Sequence, residues 1–114
     1  IFLSDYTDSV LTHLWFGMKQ TLSPLHFDQY NNVFSQVVGS KYLIIVDPIY
    51  SPKLSDGKEN SSNVDPRKLV QFLKENNISF TECILNPGDS IFIPSKWWHQ
   101  IESLSFSVSV SFWF

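Results

Sequence analysis

His26 and Asp28, separated only by Phe27, are the side chains of this sequence best placed to hold a divalent cation. On an extended segment residues i and i+2 point to the same side, so an imidazole and a carboxylate can share one ion. His99, far along the chain, supplies a third donor if the fold brings it near. Two nitrogens and one oxygen occupy three corners of an octahedron and leave three open, the donor set of iron(II) centres that activate oxygen. The same donors with a water in an open position would suit a zinc hydrolase. Spacing alone decides nothing: three His and seven Asp in 114 residues give about 0.2 chance His-x-Asp pairs. From these residues by themselves, a surface histidine and a turn aspartate after Ser23-Pro24 are the simpler account.

Neighbouring residues extend the picture. Lys41 opens a strand that is otherwise apolar through Val46, and a lysine there either snorkels to water or pairs with an anion inside the fold. Ser23 and Asn32 flank the His-x-Asp and offer neutral hydrogen-bonding groups, while Trp15 and Trp113 offer rigid walls. His99 follows Lys96-Trp97-Trp98 just after Pro94, where an aromatic core cluster is the ordinary explanation. Each feature alone has such an explanation; together they need several independent ones.

The elements that must position these groups are mainly strands. Ser105-Phe106-Ser107-Val108-Ser109-Val110-Ser111-Phe112-Trp113-Phe114 alternates small polar with large apolar residues, a period of two. Its apolar face is expected to pack against something large, and its serine face can line a polar cavity. Residues 11–16, 32–38 and 41–46 are rich in β-branched and aromatic types, with Gly17 and Gly39-Ser40 as punctuation. Residues 79–85 and 90–93 flank Asn86-Pro87-Gly88-Asp89, a type II turn sequence that reads as a hairpin. Residues 47–65 carry Pro48, Pro52, Gly57 and several Ser and Asn, and read as a surface loop. One helix is predicted, with Asp65 as N-cap, Pro66 at the first helical position, Leu69, Phe72 and Leu73 on one face, and an end at Asn76-Asn77. Many short strands and one inserted helix make this an all-β antiparallel barrel or jelly roll.

Composition narrows the function classes. At 114 residues and 13.2 kDa the chain is one domain, large enough for a core without staples, and its single cysteine, Cys83, forms no internal disulfide. A net charge of −3 with no basic run argues against direct nucleic-acid binding. No apolar run approaches the ~20 residues of a membrane helix, and nothing at the start resembles a signal peptide. A soluble intracellular location, nuclear or cytoplasmic, is expected. The sequons at Asn60 and Asn77 carry little weight. Charged residues are only 17% against a typical ~25%, with 16% aromatics, so the buried fraction is large or a covering segment is missing.

The ordered set of motifs resembles the JmjC-domain 2-oxoglutarate oxygenases. It comprises Thr21-Leu22-Ser23-Pro24-Leu25-His26-Phe27-Asp28, then Asn32, then Gln36-Val37-Val38-Gly39-Ser40-Lys41, then Asn86-Pro87-Gly88-Asp89-Ser90-Ile91-Phe92-Ile93-Pro94, then Trp97-Trp98-His99. Trp15-Phe16-Gly17 before these and Ser107-Val108-Ser109-Val110-Ser111-Phe112-Trp113 after them are similar to the small JmjC hydroxylases of the JMJD5 type. The resemblance implies a double-stranded β-helix, or cupin barrel. It implies that His26, Asp28 and His99 bind iron(II), and that Lys41 pairs with the distal carboxylate of 2-oxoglutarate. Ser23 and Asn32 would hydrogen-bond this cosubstrate, and Trp15 and Trp113 would line its pocket. Ser111 stands where some relatives carry asparagine and is a candidate support of the site, whereas His13 matches no ligand position.

The implied reaction consumes O2 and 2-oxoglutarate and oxidises a protein or peptide side chain. Arginine or lysine hydroxylation and N-methyl-lysine demethylation are the candidate outcomes, on a basic partner such as a histone tail or a ribosomal protein. Members of this family carry further β-structure and helices upstream, including a tyrosine that reaches the cosubstrate. Residues 1–114 are therefore expected to be a JmjC-like cupin domain at the C-terminal end of a longer catalytic domain, and Tyr6 is not assigned that tyrosine's role. A catalytically inactive cupin-like binding or scaffold module is the alternative; intact His26, Asp28, His99 and Lys41 argue against it.

Overall fold

A computed structural model describes residues 10–114, so Tyr6 lies outside the described residues. Among the described residues, eight strands form two four-stranded antiparallel sheets: β1 (Leu11–Gly17), β8 (Ser107–Trp113), β3 (Asn32–Val38) and β6 (Ser90–Ile93) in the first, in that spatial order. The second is ordered β2 (Leu22–His26), β7 (Trp98–Ser103), β4 (Lys41–Val46) and β5 (Phe80–Leu85). Consecutive strands alternate between sheets through most of the chain, which is the jelly-roll arrangement expected of a cupin barrel. No described helix is long and apolar enough to cross a membrane.

Strand β4 shows how the sequence builds the core. Its apolar run is continuous because both faces are covered. Ile44 and Val46 join Leu25, Leu54, Leu69, Leu73 and Trp98 in a cluster beneath the helical segments. Leu43 and Ile45 face the barrel interior with Phe34, Leu85 and Ile93. Full burial of each such side chain contributes about 1.5–3 kcal/mol. By the same two-residue period, Lys41 shares the inward side of Leu43 and Ile45. That placement buries it to 6% exposure.

The predicted helix forms as a 3-10 turn, Pro66–Lys68, running into α2 (Leu69–Glu75). The Asp65 carboxylate caps it by accepting from the Arg67 amide at 3.0 Å. The segment expected to be a loop contains regular structure of its own: a 3-10 turn, Pro48–Tyr50, and the short helix α1 (Ser51–Leu54). The described residues thus hold two short α-helices rather than one. Asp47 starts the first turn by accepting from the Ile49 amide at 2.9 Å, and Leu54 is buried. One buried leucine gives too weak a periodicity to announce a four-residue helix.

Two sequence expectations are corrected. Asn86-Pro87-Gly88-Asp89 is a turn of the expected type, with the Asp89 amide donating to the Asn86 carbonyl at 2.9 Å and Gly88 at φ +94°. It does not close a hairpin, because β5 pairs with β4 in one sheet and β6 with β3 in the other. Turn chemistry fixes the reversal locally but leaves open which strands it joins. In β8 the serine face lines the interior as expected, but the apolar face is not packed away. Ser107, Ser109 and Ser111 are fully buried, while Phe106, Phe112 and Phe114 remain exposed on the outer side. The barrel interior is narrow here and satisfies the hydroxyls: Ser109 donates to Gln36 Oε1 at 2.6 Å, and Ser103 and Ser107 are bonded at 3.1 Å. Gly17 belongs to the same constriction, since a Cβ there would lie 2.4 Å from Ser103 Oγ.

Candidate metal centre and cosubstrate cavity

The second sheet brings the three donors together. β2 and β7 run antiparallel with His26 directly opposite His99, and Asp28 follows at the end of β2. The two imidazole centroids are 4.3 Å apart. Asp28 Oδ2 lies 3.7 Å from His26 Nε2 and 3.3 Å from His99 Nε2, and one donor atom from each residue lies within 4.8 Å of the others. Donors about 2.1 Å from a common ion and at right angles to one another are about 3 Å apart, so the spacing suits one first-row divalent cation.

Hydrogen bonding orients these donors. His26 Nδ1 is 2.8 Å from the Pro24 carbonyl and His99 Nδ1 is 3.0 Å from the Trp97 carbonyl. A carbonyl oxygen can only accept, so each Nδ1 carries a proton and Nε2 of each ring is turned toward Asp28. Two nitrogen lone pairs and a carboxylate so close together repel unless a cation or a shared proton lies among them. Burial and the adjacent His99 hold the His26 imidazole below its usual pKa. Burial opposes ionisation of Asp28, but the hydrogen bond from His99 and the two imidazoles outweigh it and hold the carboxyl below its ordinary value. Both shifts favour the deprotonated forms that ligate metals.

A cavity opens beside this cluster. It is lined by all eight residues assigned to metal or cosubstrate from the sequence, Trp15, Ser23, His26, Asp28, Asn32, Lys41, His99 and Trp113, and by Ser111. The Lys41 ammonium has no hydrogen-bonding or ionic partner among the described residues; its closest aromatic neighbour is the Phe34 ring, 5.2 Å away. Burial lowers its pKa. Asn32 Oδ1 and Trp113 Nε1 are likewise buried without a partner among the described residues. The unpaired cation and the unpaired indole donor around one cavity are the complement of a small anion.

Ser111 takes the supporting place expected of it, and further supports carry no signal in the sequence. Trp15 Nε1 donates to Ser111 Oγ at 2.8 Å, which fixes the indole and gives Ser111 its contact with the site. The turn before β7 is tied to the ligand segment: the Lys96 amide donates to the Asp28 carbonyl at 2.7 Å and Ser95 Oγ donates to the Gln29 carbonyl at 2.7 Å. Lys96 adopts a left-handed φ of +69° to make its bond, a feature with no signal in the residue type. His13 is not among the donors; its ring packs 4.6 Å from that of Trp113.

The sequence profile of the family described as Cupin-like domain matches residues 4–114. The chain belongs to the cupin-like domain family. Within it, this cupin is similar to proteins of the JmjC group, as the motif order implied. It is 41% identical over 105 residues to Lysine-specific demethylase JMJ30 of Arabidopsis thaliana, covering 87% of this chain and 24% of that protein. It is 42% identical over 112 residues to Lysine-specific demethylase 8 of Xenopus tropicalis, covering 93% and 25%. With Jumonji C domain-containing protein 5 of Drosophila melanogaster the identity is 35% over 115 residues, covering 96% and 29%. The cupin thus spans about a quarter of the length of these relatives.

Proposed function

We propose that this cupin is the metal- and cosubstrate-binding part of an Fe(II)- and 2-oxoglutarate-dependent dioxygenase that oxidises a protein side chain. The convergence of His26, Asp28 and His99 beside the unpaired ammonium of Lys41 carries the reading. His26, Asp28 and His99 would hold iron(II). Bound iron(II) supplies oxygen activation, which couples oxidative decarboxylation of 2-oxoglutarate to succinate and carbon dioxide with oxidation of a substrate C–H bond. The chain's own residues bind and orient. Lys41 would neutralise the distal carboxylate, Ser23 and Asn32 would hydrogen-bond the cosubstrate, and Trp15 and Trp113 would exclude water from its flanks. A scaffold role leaves the buried Lys41 unexplained, because an unpaired ammonium destabilises a fold that has no use for an anion.

The relatives named as lysine-specific demethylases support a protein side chain as substrate. Arginine or lysine hydroxylation and N-methyl-lysine demethylation both fit, the last because hydroxylation of an N-methyl carbon collapses to loss of the methyl group. The net charge of −3 is compatible with a basic partner such as a histone tail or a ribosomal protein, in the nucleus or the cytoplasm. The test is iron-dependent formation of succinate from 2-oxoglutarate by the full-length protein. Turnover that needs zinc and ignores 2-oxoglutarate analogues would instead establish a hydrolase; no turnover and no retained metal would establish a scaffold.

A further inference from the structure

We infer that Asn60 is a positioning residue for the metal centre, clamping Phe27 and thereby holding His26 and Asp28 on either side of it in ligating register. This rests on the metal-centre reading above.

After α1 the chain returns across the free edge of β2. Ser61 bridges His26, the Ser62 amide donates to the Leu25 carbonyl at 2.9 Å, and the Phe27 amide donates to the Asn60 carbonyl at 3.0 Å. Asn60 then closes a second bond to the same residue: its Nδ2 donates to the Phe27 carbonyl at 2.8 Å. Phe27 is therefore held through both its amide and its carbonyl by one residue. It is the link between the two ligand candidates, so any rotation of its peptide planes moves the imidazole and the carboxylate relative to each other.

The crossing segment is itself anchored. Ser62 Oγ donates to the Leu54 carbonyl at 2.7 Å and the Asn63 amide donates to it at 3.2 Å, and Leu54 is buried at 1% exposure. Beneath it Phe27 meets Trp98, the residue before His99, edge-to-face at 4.9 Å between centroids, and Trp98 Nε1 donates to Ser51 Oγ at 2.8 Å. The clamp on the His-x-Asp pair is thus built on the same support as the third ligand candidate. On its other side, Asp28 is held through its carbonyl by Lys96.

Asn60 is exposed, so Asn60→Ala removes the Nδ2 donor, leaves the backbone pair, and surrenders the Phe27 carbonyl to water. The melting temperature of the metal-free full-length protein is expected to stay within about 2 °C of the parent, as for ordinary surface changes. The Mn(II) dissociation constant, read from the paramagnetic signal of free Mn(II), is expected to rise about tenfold, the lower end of the range for groups that orient metal ligands. Ser61→Ala, on the same segment but without a side-chain bond to β2, is expected to bind Mn(II) as the parent does. Asn60→Ala binding Mn(II) like the parent, or weakening only in proportion to a fallen melting temperature, overturns the clamp while leaving the metal centre in place. A parent that takes up no Mn(II) overturns the metal-centre reading and the clamp with it.

Discussion

Lys41→Met separates stability from function. Lys41 is 6% exposed and its ammonium has no ionic or hydrogen-bonding partner among the described residues. An ion buried without a counter-ion carries an effective penalty of several kcal/mol, limited by the option of losing its proton, which matches the lowered pKa of this group. The Phe34 ring at 5.2 Å returns about 1 kcal/mol of cation–π attraction. Methionine has nearly the same length and flexibility and carries no charge, so the ligand-free fold is expected to gain about 2 kcal/mol. For a domain of this size that raises the melting temperature by about 8 °C. The same change removes one partner of a buried charge pair with the distal carboxylate of 2-oxoglutarate, a loss of at least about 2 kcal/mol, or roughly 30-fold in affinity. Differential scanning calorimetry of the ligand-free protein and calorimetric titration with 2-oxoglutarate in the presence of Mn(II) give the two numbers. A destabilised variant with unchanged 2-oxoglutarate affinity would refute the reasoning and make Lys41 a structural residue.

Asp28→Ala is expected to abolish Mn(II) uptake and iron-dependent succinate formation while circular dichroism stays native, since this carboxylate packs against no core; retained turnover contradicts its assignment as a ligand. Acidification is expected to destabilise the metal-free protein in two windows. The His26 imidazole takes its proton near pH 6.5 when unfolded and only at lower pH when folded, so stability present above that value is lost as pH falls through the folded pKa. Asp28 adds a second loss below its ordinary value of 3.8, as pH falls through its depressed folded pKa. Melting curves from pH 7.5 to 5.5 should fall, and His26→Asn should flatten that fall. Gly39→Ala is expected to destabilise by about 3 kcal/mol, because φ is +69° and the new Cβ would lie 2.0 Å from the Phe106 carbonyl oxygen. Gly88→Ala, at φ +94° with nothing within 4 Å, is expected to lose only about 1 kcal/mol; equal losses in urea titrations would show that backbone strain, and not the close approach, governs Gly39.

The donor set was legible because metal chemistry leaves residue types at fixed intervals: His26 and Asp28 share a face through the two-residue period, and motif order supplied His99. Lys41 was legible for a related reason, a cation at the head of an apolar strand. Strand pairing was not, because a turn such as Asn86-Pro87-Gly88-Asp89 specifies a reversal and leaves the partner strands open. The serine face of β8 was legible as a cavity lining, but the exposure of its apolar face was not: hydrophobicity alone packs Phe112 away, and the bonds that satisfy Ser107, Ser109 and Ser111 through Ser103, Gln36 and Trp15 leave no mark on residue type. The supports at Asn60, Ser95 and Lys96 all end on backbone carbonyls, those of Phe27, Gln29 and Asp28, and every residue possesses a carbonyl, so no side-chain type at the receiving end announces them.

A crystal structure of the full-length protein with Mn(II) and an inert 2-oxoglutarate analogue tests the central claim most directly. The expected result is one Mn(II) ligated by His26 Nε2, Asp28 and His99 Nε2, with the far carboxylate of the analogue against Lys41 Nζ. Mn(II) bound at other side chains, or an analogue whose carboxylate lies away from Lys41, would contradict it.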